Sequence, residues 1–114
     1  MQLRLVLLGG GNALGKALVR LGAEEDIAFL APKPEKGAWD ASSLTSLMDE
    51  VRPDAVINLA YYYDWFQAGA VDPEHFEPQE RAVERLAQLC KHHDCVLLQP
   101  SSYRVFDGMR ATAY

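Results

Sequence analysis

Leu3-Arg4-Leu5-Val6-Leu7-Leu8-Gly9-Gly10-Gly11-Asn12-Ala13-Leu14-Gly15-Lys16-Ala17-Leu18 joins an apolar run, a glycine-rich turn and a helical pattern. That layout is the first strand–turn–helix of a fold that binds dinucleotides. A pyrophosphate must reach bare backbone N–H groups at a helix N-terminus, where the dipole favours negative charge. Gly9 and Gly15 stand six apart, as in a Gly-x-x-Gly-x-x-Gly turn, with Asn12 in the middle glycine's place. Asn tolerates left-handed backbone, yet its side chain crowds the approach. The competing reading is a strand–helix turn that takes glycine for geometry alone.

Outward from this turn the pattern repeats. Apolar residues at i, i+3, i+4 and i+7 predict three helices. The first carries Leu14, Ala17, Leu18 and Leu21, with Gly22 as its C-cap. The second carries Leu44, Leu47, Met48 and Val51, opened by Ser42 or Ser43 and stopped by Pro53. The third carries Val83, Leu86, Ala87 and Cys90 and is entered after Pro78. Between them, residues 3–8, 26–30, 55–59 and 95–99 form apolar runs without alternation. Such runs are strands buried on both faces, as in parallel sheets. The fold expected is therefore α/β, a Rossmann-type doubly wound parallel sheet. It is incomplete, with about four strands and three helices. Residues 61–79 are irregular, aromatic-rich and carry Pro73 and Pro78, just beyond the end of a strand. Ligands of such sheets bind in the crevice outside the strands' carboxyl ends.

Composition narrows the function. The 114 residues are 49% hydrophobic and 24% charged, enough for a core and too apolar for wholesale disorder. A net charge of −5 opposes a nucleic-acid surface, which needs clustered Lys and Arg. No apolar run reaches the ~18 residues of a membrane span, and residues 5–8 are too short for a signal peptide's apolar region. Cys90 and Cys95 make no disulfide framework, so a soluble protein of the reducing cytoplasm is expected. No metal site is expected either. Cys90 falls on a helix's buried face and Cys95 begins a strand, so with His92 and His93 they do not converge as zinc ligands must.

Four passages together resemble the extended short-chain dehydrogenases/reductases, in particular the dTDP-4-dehydrorhamnose reductase branch. They are the turn at 9–15, the acidic Asp40, the strand Arg52-Pro53-Asp54-Ala55-Val56-Ile57-Asn58-Leu59-Ala60, and Pro100-Ser101-Ser102-Tyr103-Arg104-Val105-Phe106-Asp107-Gly108. The last two are the more specific. The resemblance runs in order over nearly the whole chain. It implies that residues 1–114 are an N-terminal dinucleotide-binding unit, with the later strands and substrate-binding part outside them. It implies a reductase or epimerase of a nucleotide-linked 4-keto sugar, using NADP or NAD. The cofactor would meet Gly9, Gly11, Asn12, Ala13, Leu14 and Gly15 at its pyrophosphate, and Asp40 at its adenine. Asn58 and Ala60 would line the path to the nicotinamide ribose, and Ser102 would be catalytic, hydrogen-bonding the sugar carbonyl beside Ser101, a further cofactor contact. A hydroxyl donor suits a carbonyl on which hydride addition builds negative charge. Asp40 reads equally as a helix N-cap, and Ser102 as a turn-forming serine.

The sequence also departs from the family. Asn12 replaces a glycine, and Gln79 stands near the family's helical Asn. Tyr61, Tyr62 and Tyr63 stand where smaller residues are usual, either narrowing a pocket or packing beneath a loop. Where an acid would hold the ribose 2′-OH stand Ala31, Pro32 and Lys33. Lys33 or Lys36 facing a 2′-phosphate would favour NADP; the alternative is an ordinary solvated lysine. The family's Tyr-x-x-x-Lys pair is not found within the 114 residues, so this stretch by itself lacks a general acid. By analogy the strand order would be 3-2-1-4, with the first two helices on one face and the third on the other. Self-association through the exposed sheet edge is expected. The alternative function is a non-catalytic dinucleotide-binding module or sensor.

Overall fold

The structure, a computed structural model, describes residues 2–11, 13–35, 38–60 and 73–100, leaving aside the side chains of 73–79. Strand and helix alternate as β1 (Leu3–Leu8), α1 (Ala13–Glu24), β2 (Ile27–Leu30), α2 (Ala41–Val51), β3 (Ala55–Asn58), α3 (Pro73–His92) and β4 (Val96–Leu98). All strand pairings are parallel. The α/β class expected from the apolar runs is therefore the class observed.

The strand order is not the expected one. It runs β2-β1-β3-β4, so β3 and not β4 lies beside β1. Pairing of Leu5 with Ala55 through Leu8 with Asn58 fixes that neighbour. Asp54 locks the register from below: its N–H donates to the Arg4 carbonyl and its carboxylate accepts from the Arg4 N–H, both at 2.9 Å. The helices are redistributed as a result. With right-handed crossovers, moving from β1 to β2 puts α1 on one face. Moving back past β1 to β3, and on to β4, puts α2 and α3 together on the other. The expectation that α1 and α2 share a face is thereby corrected. α2 and α3 pack on each other, and the core of Val6, Leu8, Val56, Leu44, Met48, Leu86 and Leu89 lies beneath them.

Helix ends show the local chemistry. α2 opens at Asp40, before the serines expected to open it. The Asp40 carboxylate accepts from Ser43 N–H at 2.8 Å while Ser43 Oγ accepts from Asp40 N–H at 3.0 Å. This reciprocal pair satisfies N–H groups that an α-helix start leaves unpaired. Arg52, left-handed at φ 47°, closes the helix, and Pro53 follows as predicted. Gly22 is not a C-cap. It lies inside α1 against Phe29, whose Cδ2 would sit 2.3 Å from an added Cβ. The helix thus buries Gly15 against the turn after β1 and Gly22 against β2, leaving Leu14 and Leu21 about half exposed and turned off the core.

α3 begins at Pro73, before the expected start, and Pro78 stands within its second turn. Proline at the first helical position is a favoured opening because its missing N–H had no helical partner. The buried stripe is Ala82, Leu86, Leu89 and Cys90, rotated slightly from the predicted one. At the other end Asp94 is left-handed, Cys95 N–H reaches the Cys90 carbonyl at 2.8 Å, and Asp94 N–H reaches that of Lys91 at 3.4 Å. This is a Schellman turn whose flanking side-chain contact is filled by two thiols. Burial pushes the Cys90 thiol up to about 12, with the charge and hydrogen bond of Cys95 adding to it. Burial likewise raises Cys95.

Candidate functional site

The strand order locates the site. The chain moves from β1 to β2 in one direction and from β2 to β3 in the other, so the winding reverses between β1 and β3. Ligands of open parallel sheets bind outside the carboxyl ends at that reversal. There the Gly9 turn and Ala60 meet. Leu59 N–H continues the β1–β3 ladder by donating to the Leu8 carbonyl at 2.8 Å. Gly9 has φ +77°, and a Cβ on it would stand 2.6 Å from the Ala60 backbone. Gly9 is thus the glycine that the tight turn demands.

Gly15 has a second role. A Cβ there would stand 2.6 Å from Gly10 Cα, so only glycine lets α1 seat against the turn. Gly11 differs, since a Cβ on it would meet nothing within 4 Å. Ala13 and Leu14 begin α1 and are exposed. The turn therefore joins bare glycine backbone to the N-terminus of a twelve-residue helix, the arrangement suited to an anion. That is the fit a dinucleotide pyrophosphate requires. Asn12, on which the approach depends, lies outside the described residues.

After β2, Ala31 lies beside Gly10: its Cβ would be 3.0 Å from a Cβ placed there. Lys33 is exposed two residues on. Asp40 caps α2, which realises one of its two readings; Trp39 beside it is buried in the core. Asn58 is fully buried at the end of β3. Its Oδ1 accepts from Ala60 N–H at 3.2 Å and its Nδ2 donates to Gln99 Oε1 at 2.7 Å. The structure thus brings together Gly9, Gly11, Gly15, Asn58 and Ala60 at one end of the sheet. Gln99 was missed by sequence reasoning; its only signal was its place at the end of an apolar run. Ser101, Ser102, Lys36, Tyr61, Tyr62 and Tyr63 lie outside the described residues, as does the side chain of Gln79. Among the described residues no three His, Cys, Asp or Glu side chains group as metal ligands. Nor, among them, is any helix long and apolar enough to cross a membrane.

Residues 3–114 match the family model described as the RmlD substrate binding domain. The chain belongs to that family. It is 29% identical over 115 residues to the dTDP-4-dehydrorhamnose reductase of Aggregatibacter actinomycetemcomitans, covering 97% of this chain and 38% of the relative. Among solved structures it resembles dTDP-4-dehydrorhamnose reductase from Bacillus anthracis in complex with NADP. There the TM-score is 0.70 at 22% identity, over 97% of this chain and 40% of that one. A GDP-L-fucose synthetase from Naegleria fowleri gives a TM-score of 0.74 at 18% identity, over 98% of this chain and 34% of that one. These structural likenesses establish the shared fold. The chain spans 38–40% of the length of the two reductases.

Proposed function

We propose that residues 1–114 are the N-terminal dinucleotide-binding unit of an NADP-dependent reductase acting on a nucleotide-linked 4-keto sugar. The observation that carries this is the Gly9–Gly15 turn at the β1/β3 reversal, where Gly9 and Gly15 admit no side chain. Membership of the family, and NADP in the Bacillus anthracis structure, support it. In this reading Gly9, Gly11, Asn12, Ala13, Leu14 and Gly15 hold the pyrophosphate through backbone amides. Lys33 meets the 2′-phosphate, which is the ground for NADP over NAD. Asp40 faces the adenine while capping α2, and Asn58, Ala60 and Ser101 border the nicotinamide ribose. Ser102 donates its hydroxyl proton as a hydrogen bond to the substrate carbonyl, stabilising negative charge as it develops. The bound cofactor supplies hydride to that carbonyl. A cytoplasmic setting belongs to the same reading, with both thiols unpaired. Epimerisation of such a sugar is the neighbouring activity. Self-association through the uncovered edge beyond β4 is proposed with it.

NADPH and NADH titrated calorimetrically against the protein test the reading. NADPH is expected to bind more tightly, and Lys33→Ala to narrow the difference. Absence of binding by either nucleotide would overturn it. A non-catalytic dinucleotide-binding module is favoured by one feature, the packing of Ala31 beside Gly10 where an acid would hold the ribose. Turnover of a nucleotide-linked 4-keto sugar by the full-length protein separates the two.

A further inference from the structure

Asn58 is the buried polar side chain among the described core residues, and its two polar atoms face in different directions. Ala60 N–H can only donate, so it fixes Asn58 Oδ1 as the acceptor in that 3.2 Å contact. Nδ2 then points at residue 99 and requires an acceptor there. Gln99 supplies one, its Oε1 lying 2.7 Å away while its own Nε2 donates to the Pro100 carbonyl at 3.4 Å. Ala60 in turn is the backbone against which Gly9 is pressed. Contacts therefore run from the end of β4, through Asn58 and Ala60, to the glycine turn after β1.

We propose that Gln99 is a positioning residue for the nucleotide turn, acting through Asn58 and Ala60 on Gly9. This rests on the cofactor reading given above. The side-chain oxygen of Gln99 holds the Asn58 carboxamide in one orientation, and that orientation holds Ala60 N–H inward. Ala60 then forms the wall that sets the Gly9 conformation. Because the link starts at β4, the outer strand leading into Ser101 and Ser102 is tied to the turn that grips phosphate. Gln99 itself is exposed while Asn58 is fully buried beneath it. A side chain of similar length without a carbonyl acceptor therefore leaves the buried Asn58 Nδ2 without its partner, and an unmet buried donor is costly.

Two variants of the full-length chain test this. Gln99→Met replaces the carbonyl acceptor by a thioether that accepts only weakly and keeps the length; Gln99→Glu, ionised at neutral pH, keeps a strong acceptor. The readouts are the NADPH dissociation constant and the backbone amide NMR shifts of Gly9 and Ala60. Gln99→Met is expected to move both amides and to weaken NADPH about tenfold. Gln99→Glu is expected to restore both. Unmoved amides in Gln99→Met, or a Gln99→Glu variant as impaired as Gln99→Met, would overturn the proposal. If the unsubstituted chain binds no NADPH, the cofactor reading fails by itself, and the amide shifts still decide the role of Gln99.

Discussion

Gly9 is under two constraints at once, a positive φ and a neighbouring backbone 2.6 Å from where a Cβ would be. Left-handed backbone and overpacking each destabilise, so Gly9→Ala should lose about 2–5 kcal/mol of stability by urea denaturation. Gly11 meets nothing, and Gly11→Ala should stay within about 0.5 kcal/mol of the parent. Its effect should instead fall on NADPH affinity, measured by calorimetry, because the added methyl stands in open space at the turn proposed to hold phosphate. A Gly11→Ala protein that binds NADPH normally would count against that assignment. Asp40 allows a similar separation. Asp40→Ala should lose about 1 kcal/mol through the missing cap, and Asp40→Asn almost none, as read by thermal melting. At this scale the sequence was most legible for glycine, since few other residues tolerate such backbone. It was blind to Gln99, because a carboxamide's partner across the sheet leaves no trace in local pattern. The Arg-Pro-Asp passage also proved more structural than its motif implied. Arg52 ends α2 and Asp54 clasps Arg4.

Elements were legible where their own residues decide them and illegible where a neighbour does. Each strand followed from an unalternating apolar run, with bounds moved only at the ends. The strand order did not follow, because an apolar run marks a strand but not its neighbours. Nor did burial on both faces, since Leu30 of β2 and Val96 and Leu98 of β4 are 46–60% exposed on outer strands. Burial faces shifted for the same reason. α1 turns Gly22 to β2 and Gly15 to the glycine turn, since glycine permits an approach that its leucines do not. In α3 the stripe centres on Leu86, which is 1% exposed between α2 and the sheet. Leu86→Ala should therefore lose about 2–5 kcal/mol, whereas Ala87→Ser on the exposed side should lose little. Urea denaturation of the pair checks this. The thiols at the end of α3 predict a pH dependence. Burial raises Cys90 from 9.0 to about 12, so the folded chain holds that proton more tightly than the unfolded chain does. Stability from this source is complete below pH 9.0 and is lost as pH rises toward about 12. Cys90→Ala should flatten the alkaline limb of stability against pH; an unchanged limb would place the loss elsewhere.

For the whole molecule, the consequence of placing α2 and α3 on one face is an unevenly covered sheet. α1 packs over β2, on the side away from β4. The core side of β4 is served by Leu97, which packs against the main cluster. Val96 and Leu98 point the other way and are 60% and 51% exposed. They stand in register with Ala55 and Ile57, so these residues share one face of two adjacent strands. Among the described residues β4 also has no outer neighbour, which leaves its edge N–H and C=O groups facing outward. Apolar side chains beside an unpaired edge favour association of like chains. The 114-residue chain should therefore sediment as dimers or larger species at micromolar concentration. Val96→Lys with Leu98→Lys should return it to a monomer by placing like charges on that face. Both side chains are largely exposed, so the double variant should keep its melting temperature within a few degrees. A parent chain that sediments as a monomer throughout would refute the association. Persistence of the larger species in the double variant would move the contact to another surface, the half-exposed Leu14 and Leu21 of α1 being the next apolar pair to substitute.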